Sequence, residues 1–397
     1  MHQDLDNMTT ATKVISTFPL LTHGEPCSKV GWFGDECMFL CHCANESACD
    51  QTDGSCQNGC DSKWFGPACQ YSVSQFTIVS NGSTLDLSRL NDNNDKTCND
   101  ENVQSITVAL DTPHALSWVR VIVRNSANLD QFELIYRTND SHAFTPCDNL
   151  RSARVDDRTL DISCPTSNVV SRVTLSGNVV KGLCSLYISG GRNVALQQST
   201  QQSTVLDNWR ASHAVDGHID IPDDVQSQMS TCSHTKPGLD GWWRVTFSNK
   251  VEINRLIIHN RRDPGRSDCC ESRLKNFTVD ISSNSGASVF KYTDPGQQVK
   301  DVYTVTPSKK IIVSSGTVRI EVLKNTKNKL VTLCEVYVYG DVICESGEFK
   351  PKKFGRQCER DCNCADQTEA CFVSTGGCPS GCAAGYIGED CHTREIN

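Results

Sequence analysis

The sequence of 397 residues predicts an all-β fold, in which two tandem β-sandwiches of the jelly-roll type lie between small disulfide-rich modules. Short alternating or apolar runs recur through the middle of the chain, turn residues separate them, and no helical period is sustained. These runs are 105–110, 119–123, 243–247, 256–258, 317–322 and 335–339. The 24 cysteines form groups of 8, 4, 4 and 8 along the chain, and these groups divide it into four parts.

The first and last cysteine groups repeat one pattern of spacing. From Cys37 the cysteines are separated by 3, 1, 5, 6, 3 and 8 residues, and from Cys358 by 3, 1, 6, 6, 3 and 8. This repeat resembles the epidermal-growth-factor-like (EGF-like) modules of scavenger-type receptors, which we predict at 27–72 and 344–392. Modules this small bury little core, so disulfides must supply much of their stability. Cys41-x-Cys43 would also permit a zinc site, but the absence of Cys-x2-Cys pairs disfavours that alternative.

The two middle parts of the chain share an ending. The segment 183–190 reads Leu-Cys-Ser-Leu-Tyr-Ile-Ser-Gly, and 333–340 reads Leu-Cys-Glu-Val-Tyr-Val-Tyr-Gly. We therefore predict two copies of one β-fold, at 74–190 and 191–341. The acidic and polar segment 1–26 is predicted to be unstructured.

Composition predicts an extracellular protein. Cysteines in even groups indicate an oxidising compartment, and sequons at Asn7, Asn45, Asn81, Asn139 and Asn276 predict a glycoprotein. A net charge of −9 gives no footprint for nucleic acid, and no apolar run is long enough to span a bilayer. Because 1–26 lacks the features of a signal peptide, we expect the chain to be part of a longer protein.

The stretch Arg266-Ser267-Asp268-Cys269-Cys270-Glu271-Ser272-Arg273 is the most unusual in the sequence. A disulfide between adjacent cysteines strains the backbone, and such strain is found at functional sites. If Cys232 and Cys334 pair with each other, Cys269 and Cys270 have only one another within their group. The alternative is that each of the two pairs elsewhere.

Residues 191–340 resemble the F-type lectins, or fucolectins, in six blocks: 192–196, 214–217, 231–235, 242–245, 266–273 and 333–336. The resemblance implies a jelly roll that binds L-fucose beside a structural calcium ion. It implies that Arg266 and Arg273 reach the ring oxygen and hydroxyls and that His234 contacts the axial hydroxyl. Guanidinium groups and an imidazole can supply the donors that a deoxyhexose needs.

Three further residues complete the predicted sugar site. The resemblance implies that the Cys269–Cys270 pair forms an apolar platform for one face of the sugar. We expect Asp268 to pair with an arginine and to hold the guanidinium in place.

Calcium is the predicted cofactor, because hard oxygen ligands are what this ion requires. The resemblance places Asp216, the carbonyls near His213 and His218, Thr231 and Glu335 around the ion. A Cys232–Cys334 disulfide would bring Thr231 and Glu335 together, since each lies next to one of those cysteines.

The first β-domain is predicted to be a degenerate copy that binds no fucose. Asp100 stands where the second domain has His234, and Ser185 replaces the carboxylate of Glu335. We predict that it keeps a Cys98–Cys184 and a Cys147–Cys164 disulfide.

The sequence therefore predicts a calcium-dependent lectin for terminal L-fucose on glycans, in innate recognition or cell adhesion. One shallow site per chain binds weakly, so a homo-oligomer is expected to supply avidity. The alternative is an adhesive or structural part of a receptor ectodomain with a vestigial sugar site. An enzyme is not expected, because no catalytic motif is present and arginines would keep Asp268 ionised.

Overall fold

The computed structural model describes residues 27–79, 88–92, 94–99, 103–129, 131–219, 231–238, 240–262, 271–323, 329–344 and 352–395. Within these ranges the chain contains strands β1–β28 and short 3-10 helices, with no α-helix, so the predicted all-β class is confirmed. The segment 1–26 lies outside the described residues. The 3-10 helices are Asp35–Cys37, Ala44–Glu46, Pro67–Cys69, Ser88–Asn91, Ser126–Leu129, Asn178–Val180, Ala211–Ala214 and Glu271–Arg273.

The N-terminal module consists of two small hairpins held by disulfides. Its strands are β1 Trp32–Phe33, β2 Phe39–Leu40, β3 Trp64–Phe65 and β4 Tyr71–Ser72, with β1 paired to β2 and β3 to β4. The disulfides are Cys27–Cys37, Cys41–Cys49, Cys43–Cys56 and Cys60–Cys69. Few apolar side chains are buried here, so the covalent bridges replace a core.

The first β-domain is a sandwich of two antiparallel sheets. Its strands are β5 Phe76–Val79, β6 Ser105–His114, β7 Trp118–Val123, β8 Phe132–Thr138, β9 Thr145–Pro146, β10 Arg151–Arg154, β11 Thr159–Ser163, β12 Val170–Gly177 and β13 Leu183–Ser189. One sheet has the order β10-β11-β7-β13 and the other β5-β6-β12-β8-β9. Alternate residues of β7, such as Val119 and Val121, face Val108 and Leu175 of the other sheet across one core.

The second β-domain repeats this architecture. Its strands are β14 Arg192–Asn193, β15 Ser199–Gln202, β16 Ser233–His234, β17 Trp242–Thr246, β18 Lys250–Asn260, β19 Phe277–Ser282, β20 Ser288–Thr293, β21 Val302–Val305, β22 Ile311–Ser314, β23 Thr317–Val322 and β24 Thr332–Val342. One sheet has the order β15-β17-β23-β19-β20. The other has the order β14-β24-β18-β21, with β16 also on β24 and β22 also on β18.

Two β-bulges interrupt the pairing of β18 with β24, the first with its extra residue in β18 and the second with its extra residue in β24. The pairing with β24 shifts between Ile253 and Arg255 and again between His259 and Asn260. Before the first bulge Ile253 faces the core, and after it Leu256 does. Arg255 consequently lies on the outer face of the sheet, because the extra residue reverses the alternation.

The C-terminal module is built like the N-terminal one. Its strands are β25 Lys353–Phe354, β26 Arg360–Asp361, β27 Tyr386–Ile387 and β28 Thr393–Arg394. Its disulfides are Cys344–Cys358, Cys362–Cys371, Cys364–Cys378 and Cys382–Cys391. In both modules the first cysteine pairs with the second, the third with the fifth, the fourth with the sixth and the seventh with the eighth.

The N-terminal module packs against both β-domains. Phe65 stacks on Trp118 of the first domain, with 4.7 Å between ring centroids. The Tyr71 hydroxyl donates a hydrogen bond to Asp341 of the second domain at 2.7 Å, and Arg192 donates to the other oxygen of Asp341 at 3.0 Å. These contacts are buried, so the module fixes the two sandwiches against one another.

The C-terminal module contacts the first β-domain and the N-terminal module. Arg120 of the first domain donates to both oxygens of the buried Asp161, at 2.7 and 2.9 Å, and also to Glu389 of the module. Arg356 lies over the rings of Phe33 and Phe39 in the N-terminal module, 4.2 and 4.1 Å from their centroids. The four modules therefore share side-chain contacts.

Candidate functional site

The candidate sugar site lies where β16 pairs with the start of β24. The structure describes His234 and Arg273 of the predicted sugar ligands, and all of the predicted ion ligands. Arg266, Asp268, Cys269 and Cys270 lie outside the described residues, as does Asp100 of the first domain. The geometry of this site therefore comes from the residues around His234.

His234 is held in one orientation by the backbone and by Arg273. The side chain is 4% exposed, its Nδ1 bonds to the carbonyl of Thr235, and its Nε2 lies 3.1 Å from Nη1 of Arg273. A carbonyl can only accept, so Nδ1 carries the proton and Nε2 accepts from the guanidinium. The imidazole thus presents an acceptor, whereas the sequence analysis treats it as a donor.

The electrostatics of the pocket keep this imidazole neutral. Burial, together with the nearby guanidinium groups of Arg273 and Arg261, lowers the pKa of His234 to about 4. A neutral imidazole beside a permanently charged guanidinium gives one acceptor and several donors in a small space. Such a pair can bind a hydroxyl group, which both donates and accepts.

Trp209 and Arg261 complete the wall of the site, although the sequence analysis missed both. The Trp209 ring meets the His234 ring edge to face at 5.3 Å, and the Arg261 guanidinium lies 4.5 Å from the Trp209 ring centroid. Trp209 also packs on the Cys232–Cys334 disulfide. A tryptophan in the polar segment 203–210 was the available signal, since nothing in that segment predicts a core strand.

The predicted ion ligands include two neighbouring carboxylates. Glu335 is fully buried, its Oε1 accepts from the Gly217 amide at 3.3 Å, and its Oε2 has no hydrogen-bond partner among the described residues. Burial raises the pKa of Glu335 well above its usual range, and the adjacent Asp216 adds to the rise. Burial likewise raises the pKa of Asp216.

A hard cation fits this arrangement. A carboxylate whose pKa is raised by burial and by a neighbouring carboxylate, and which has one orphaned oxygen, forms part of a site that a divalent cation would complete. The Asp216 carboxylate accepts from the His218 amide at 3.0 Å, which shapes the turn between them. The His213 ring bonds to the carbonyl of Cys232 at 3.3 Å, and Thr231 is the residue before Cys232.

The Cys232–Cys334 disulfide connects the sugar site to the ion site. It joins β24 to the residue before β16, in a stretch where Ser233 pairs with Leu333 and His234 with Thr332. Glu335 follows one half-cystine and His234 lies two residues beyond the other. The disulfide and this short strand pairing therefore link the position of Glu335 to that of His234.

The N-terminal module covers the turn of the ion site. The Trp32 ring contacts the His218 ring edge to face at 5.9 Å, and the Lys29 ammonium group lies 3.8 Å from the centroid of Trp32. Gly217 has a φ of +77° and packs near Leu40, so a larger residue would be strained there.

The first β-domain has a different arrangement at the matching place. Ser185 of β13 occupies the position of Glu335, and its hydroxyl donates to Asp95 at 2.6 Å, while the Tyr187 hydroxyl donates to the same oxygen at 2.7 Å. The disulfides Cys98–Cys184 and Cys147–Cys164 are present. The first β-domain therefore has both predicted disulfides, but the carboxylate of Asp95 accepts hydrogen bonds from two hydroxyl groups.

Cys364, Glu369 and Cys378 also lie close together among the described residues. The two cysteines form a disulfide with each other, so they offer no thiolate to a metal. Within the described ranges, no helix has the length and apolar character required to cross a membrane.

The second β-domain is similar to known sugar-binding proteins. Residues 213–333 match a family model described as NedA-like, galactose-binding domain. Fucolectin-6 of Anguilla japonica is 28% identical over 148 residues, which cover 37% of this chain and 74% of that protein. Fucolectin-5 of the same species is 31% identical over 93 residues, which cover 23% of this chain and 47% of that protein.

A search of solved structures also found similar chains. A Streptococcus pneumoniae fucose binding module, SpX-3, is 26% identical, with a TM-score of 0.31, over 37% of this chain and 96% of the module. This chain spans about half of Fucolectin-5 and three quarters of Fucolectin-6.

Proposed function

We propose that this chain is an extracellular carbohydrate-binding protein whose second β-domain recognises terminal L-fucose on glycans. The observation that carries the proposal is the hydrogen bond between Arg273 and His234, which lies within residues 213–333 that match the galactose-binding family model, in a chain that is similar to fucolectins. The names of those relatives describe fucose lectins, and the described pair has the chemistry that a hydroxyl-rich ligand needs.

The proposed recognition uses Arg273 as donor and His234 as acceptor. The guanidinium can donate to the ring oxygen and to a hydroxyl, while Nε2 of the imidazole can accept from a sugar hydroxyl that replaces Arg273 as its partner. Trp209 supports His234 from the side and keeps the ring in place. Arg266, Asp268 and the Cys269–Cys270 platform remain part of the proposal from sequence alone.

Calcium is the proposed cofactor of this domain. Asp216 and Glu335 would bind the ion through their carboxylates, with Thr231 and the carbonyls near His213 and His218 as further oxygen ligands. The bound ion would neutralise the buried Glu335 and the half-buried Asp216. Asp216 and Glu335 would then hold the turn and β24 together, and the Cys232–Cys334 disulfide would extend this order to His234.

An extracellular role in innate recognition or cell adhesion suits this chemistry. Disulfides join 22 cysteines of the described residues, which supports an oxidising compartment. With one competent site, binding by a single chain is weak, so we propose that a homo-oligomer raises avidity by roughly 10² to 10⁴.

Titration calorimetry of the intact chain with L-fucose tests the proposal. Wild type should release saturable heat, and Arg273→Ala should lose binding at least tenfold without a change in unfolding temperature. Arg319→Ala is the matched control, because Arg319 pairs with Glu321 on the other sheet at 3.1 Å and is similarly accessible. Wild type without saturable heat, or an Arg273→Ala variant that binds like the control, would reject the fucose site.

A second candidate is a structural or adhesive part of a receptor ectodomain. It is favoured by the contacts that join the modules, such as Tyr71 to Asp341 and Arg120 to Glu389. Under this alternative the sugar site is vestigial, and the Arg273→Ala variant would retain adhesion of cells that display the chain. Adhesion that free L-fucose abolishes would exclude it.

A further inference from the structure

A cavity lies between three modules, and the residues of the His234 site do not line it. Its volume is about 540 Å³, which is in the range of small-molecule sites. Trp64 of the N-terminal module, Tyr187 of the first β-domain, and Arg255, Tyr337 and Tyr339 of the second line it. The N-terminal module also contributes Ser62, Lys63 and Ser72 to the lining, so one wall of the cavity belongs to this module.

Arg255 enters this cavity from the first β-bulge of β18. The extra residue there, Asn254, donates hydrogen bonds to the Ser117 hydroxyl at 3.2 Å and to the Gly190 carbonyl at 2.8 Å. These bonds fix the bulge against the first domain. The bulge turns Arg255 out of the core and towards the bridging module, which is a recurrent use of bulges next to binding sites.

The guanidinium of Arg255 is buried without an anionic partner. The residue is 9% exposed, and its Nε has no hydrogen-bond partner among the described residues. Among the described residues no carboxylate pairs with it, and its guanidinium lies over the Tyr339 ring at 4.8 Å. Burial lowers the pKa of Arg255 below its usual range. A buried charge of this kind is costly unless a ligand or partner compensates it.

The other walls of the cavity suit a small ring compound. Tyr337 and Tyr339 face the cavity from one strand, with 5.7 Å between their ring centroids, and Trp64 faces it from the module. Ser62 and Ser72 add hydroxyl groups to the lining. Aromatic faces with a few polar groups are the usual composition of a small-molecule site.

We propose that this cavity binds a carboxylate-bearing saccharide, with Arg255 receiving the carboxylate and the aromatic side chains contacting the sugar ring. A guanidinium matches a carboxylate through two parallel hydrogen bonds, and this geometry is stronger and more selective than a single one. A neutral sugar would leave the charge of Arg255 uncompensated. A simple carboxylate would leave the aromatic walls empty.

The test is titration of the intact chain with D-glucuronate, using D-glucose and acetate as matched probes. Wild type should bind glucuronate saturably and at least tenfold more tightly than either probe. Arg255→Met, which keeps the apolar stem and removes the charge, should lose glucuronate binding at least tenfold. The variant should not unfold at a lower temperature, because an uncompensated buried charge has been removed.

Arg244→Met is the matched control. The Arg244 side chain also lies over an aromatic ring, that of Trp242, and also has a buried Nε without a partner, but it lines no part of this cavity. Arg255→Lys is a second variant, which keeps a positive charge and loses the paired geometry, so binding should fall at least tenfold.

Several results would overturn the proposal. They are the absence of saturable glucuronate binding, equal binding of acetate or glucose, or equal loss in the Arg244→Met and Arg255→Met variants. Titration with L-fucose keeps this inference separate from the proposed function, because Arg255→Met should bind fucose like wild type. A loss of both ligands would show that Arg255 only maintains the fold, and would also overturn it.

Discussion

Removal of the Cys232–Cys334 disulfide should reduce both the stability of the second β-domain and its binding of fucose. The bridge spans 102 residues, and the chain-entropy relation gives about 4.7 kcal/mol for a loop of that length. Both cysteines are buried, so alanine is the replacement that avoids a buried hydroxyl. For a domain of this size, the double variant should unfold roughly 10–20 °C lower than wild type.

The Cys98–Cys184 disulfide of the first domain is the natural control. It spans 86 residues, which gives about 4.6 kcal/mol, so its double alanine variant should lose similar stability. Fucose titration below both unfolding temperatures then separates the two effects. We expect binding to fall at least tenfold for Cys232→Ala/Cys334→Ala only, because His234 and Glu335 lie next to that bridge. Equal losses of affinity in both variants, or unchanged affinity in the first, would refute the coupling.

Three further predictions concern the ion site, a buried histidine and a buried ion pair. Calcium at 100 times its dissociation constant should stabilise the chain by about 2.7 kcal/mol, which is measured as a fall in unfolding temperature when a chelator is added. The Glu335→Gln variant should unfold at the same temperature with and without chelator. A chelator effect that persists in this variant would contradict the ion site. Burial lowers the pKa of His114 to about 3. Between pH 6.5 and 3 the unfolded state therefore binds a proton that the folded state does not, and the free energy of unfolding decreases as the pH is lowered. In urea titrations from pH 6.5 to 4.5, wild type should lose about 2 kcal/mol more than His114→Gln; equal pH dependence would disprove a neutral buried His114. Arg120→Met should cost about 3–5 kcal/mol in urea, because Asp161 would stay buried without its partner, and Arg120→Met/Asp161→Leu should recover most of it; an exposed-pair cost below about 1 kcal/mol would show that the pair is not buried in solution.

Sequence patterns could predict the class of fold because they reflect local physics. Alternation in Thr317–Val322 appears directly as alternate burial along β23. The repeated cysteine spacings correspond to one disulfide connectivity in both terminal modules. Each signal arises from residues that lie close together along the chain, so it can be recognised in a single sequence.

The candidate site was less predictable, because its geometry depends on contacts between distant segments. The role of His234 as acceptor follows from its bonds to Thr235 and Arg273, and residue type alone does not determine which nitrogen carries the proton. Trp209 and Arg261 come together only after the strands have paired. The bulge that turns Arg255 out of the core depends on the register of β18 with β24, and no local pattern in Lys250–Asn260 indicates it.

The number of fucose molecules bound by one chain tests the central claim most directly. Titration calorimetry of the intact chain with L-fucose, at a chain concentration above the dissociation constant, gives this stoichiometry from the midpoint of the binding curve. We predict one fucose per chain, because Ser185 and Asp95 replace the ion site in the first β-domain while the second keeps Arg273 and His234. Two molecules per chain, or no saturable binding, would contradict it.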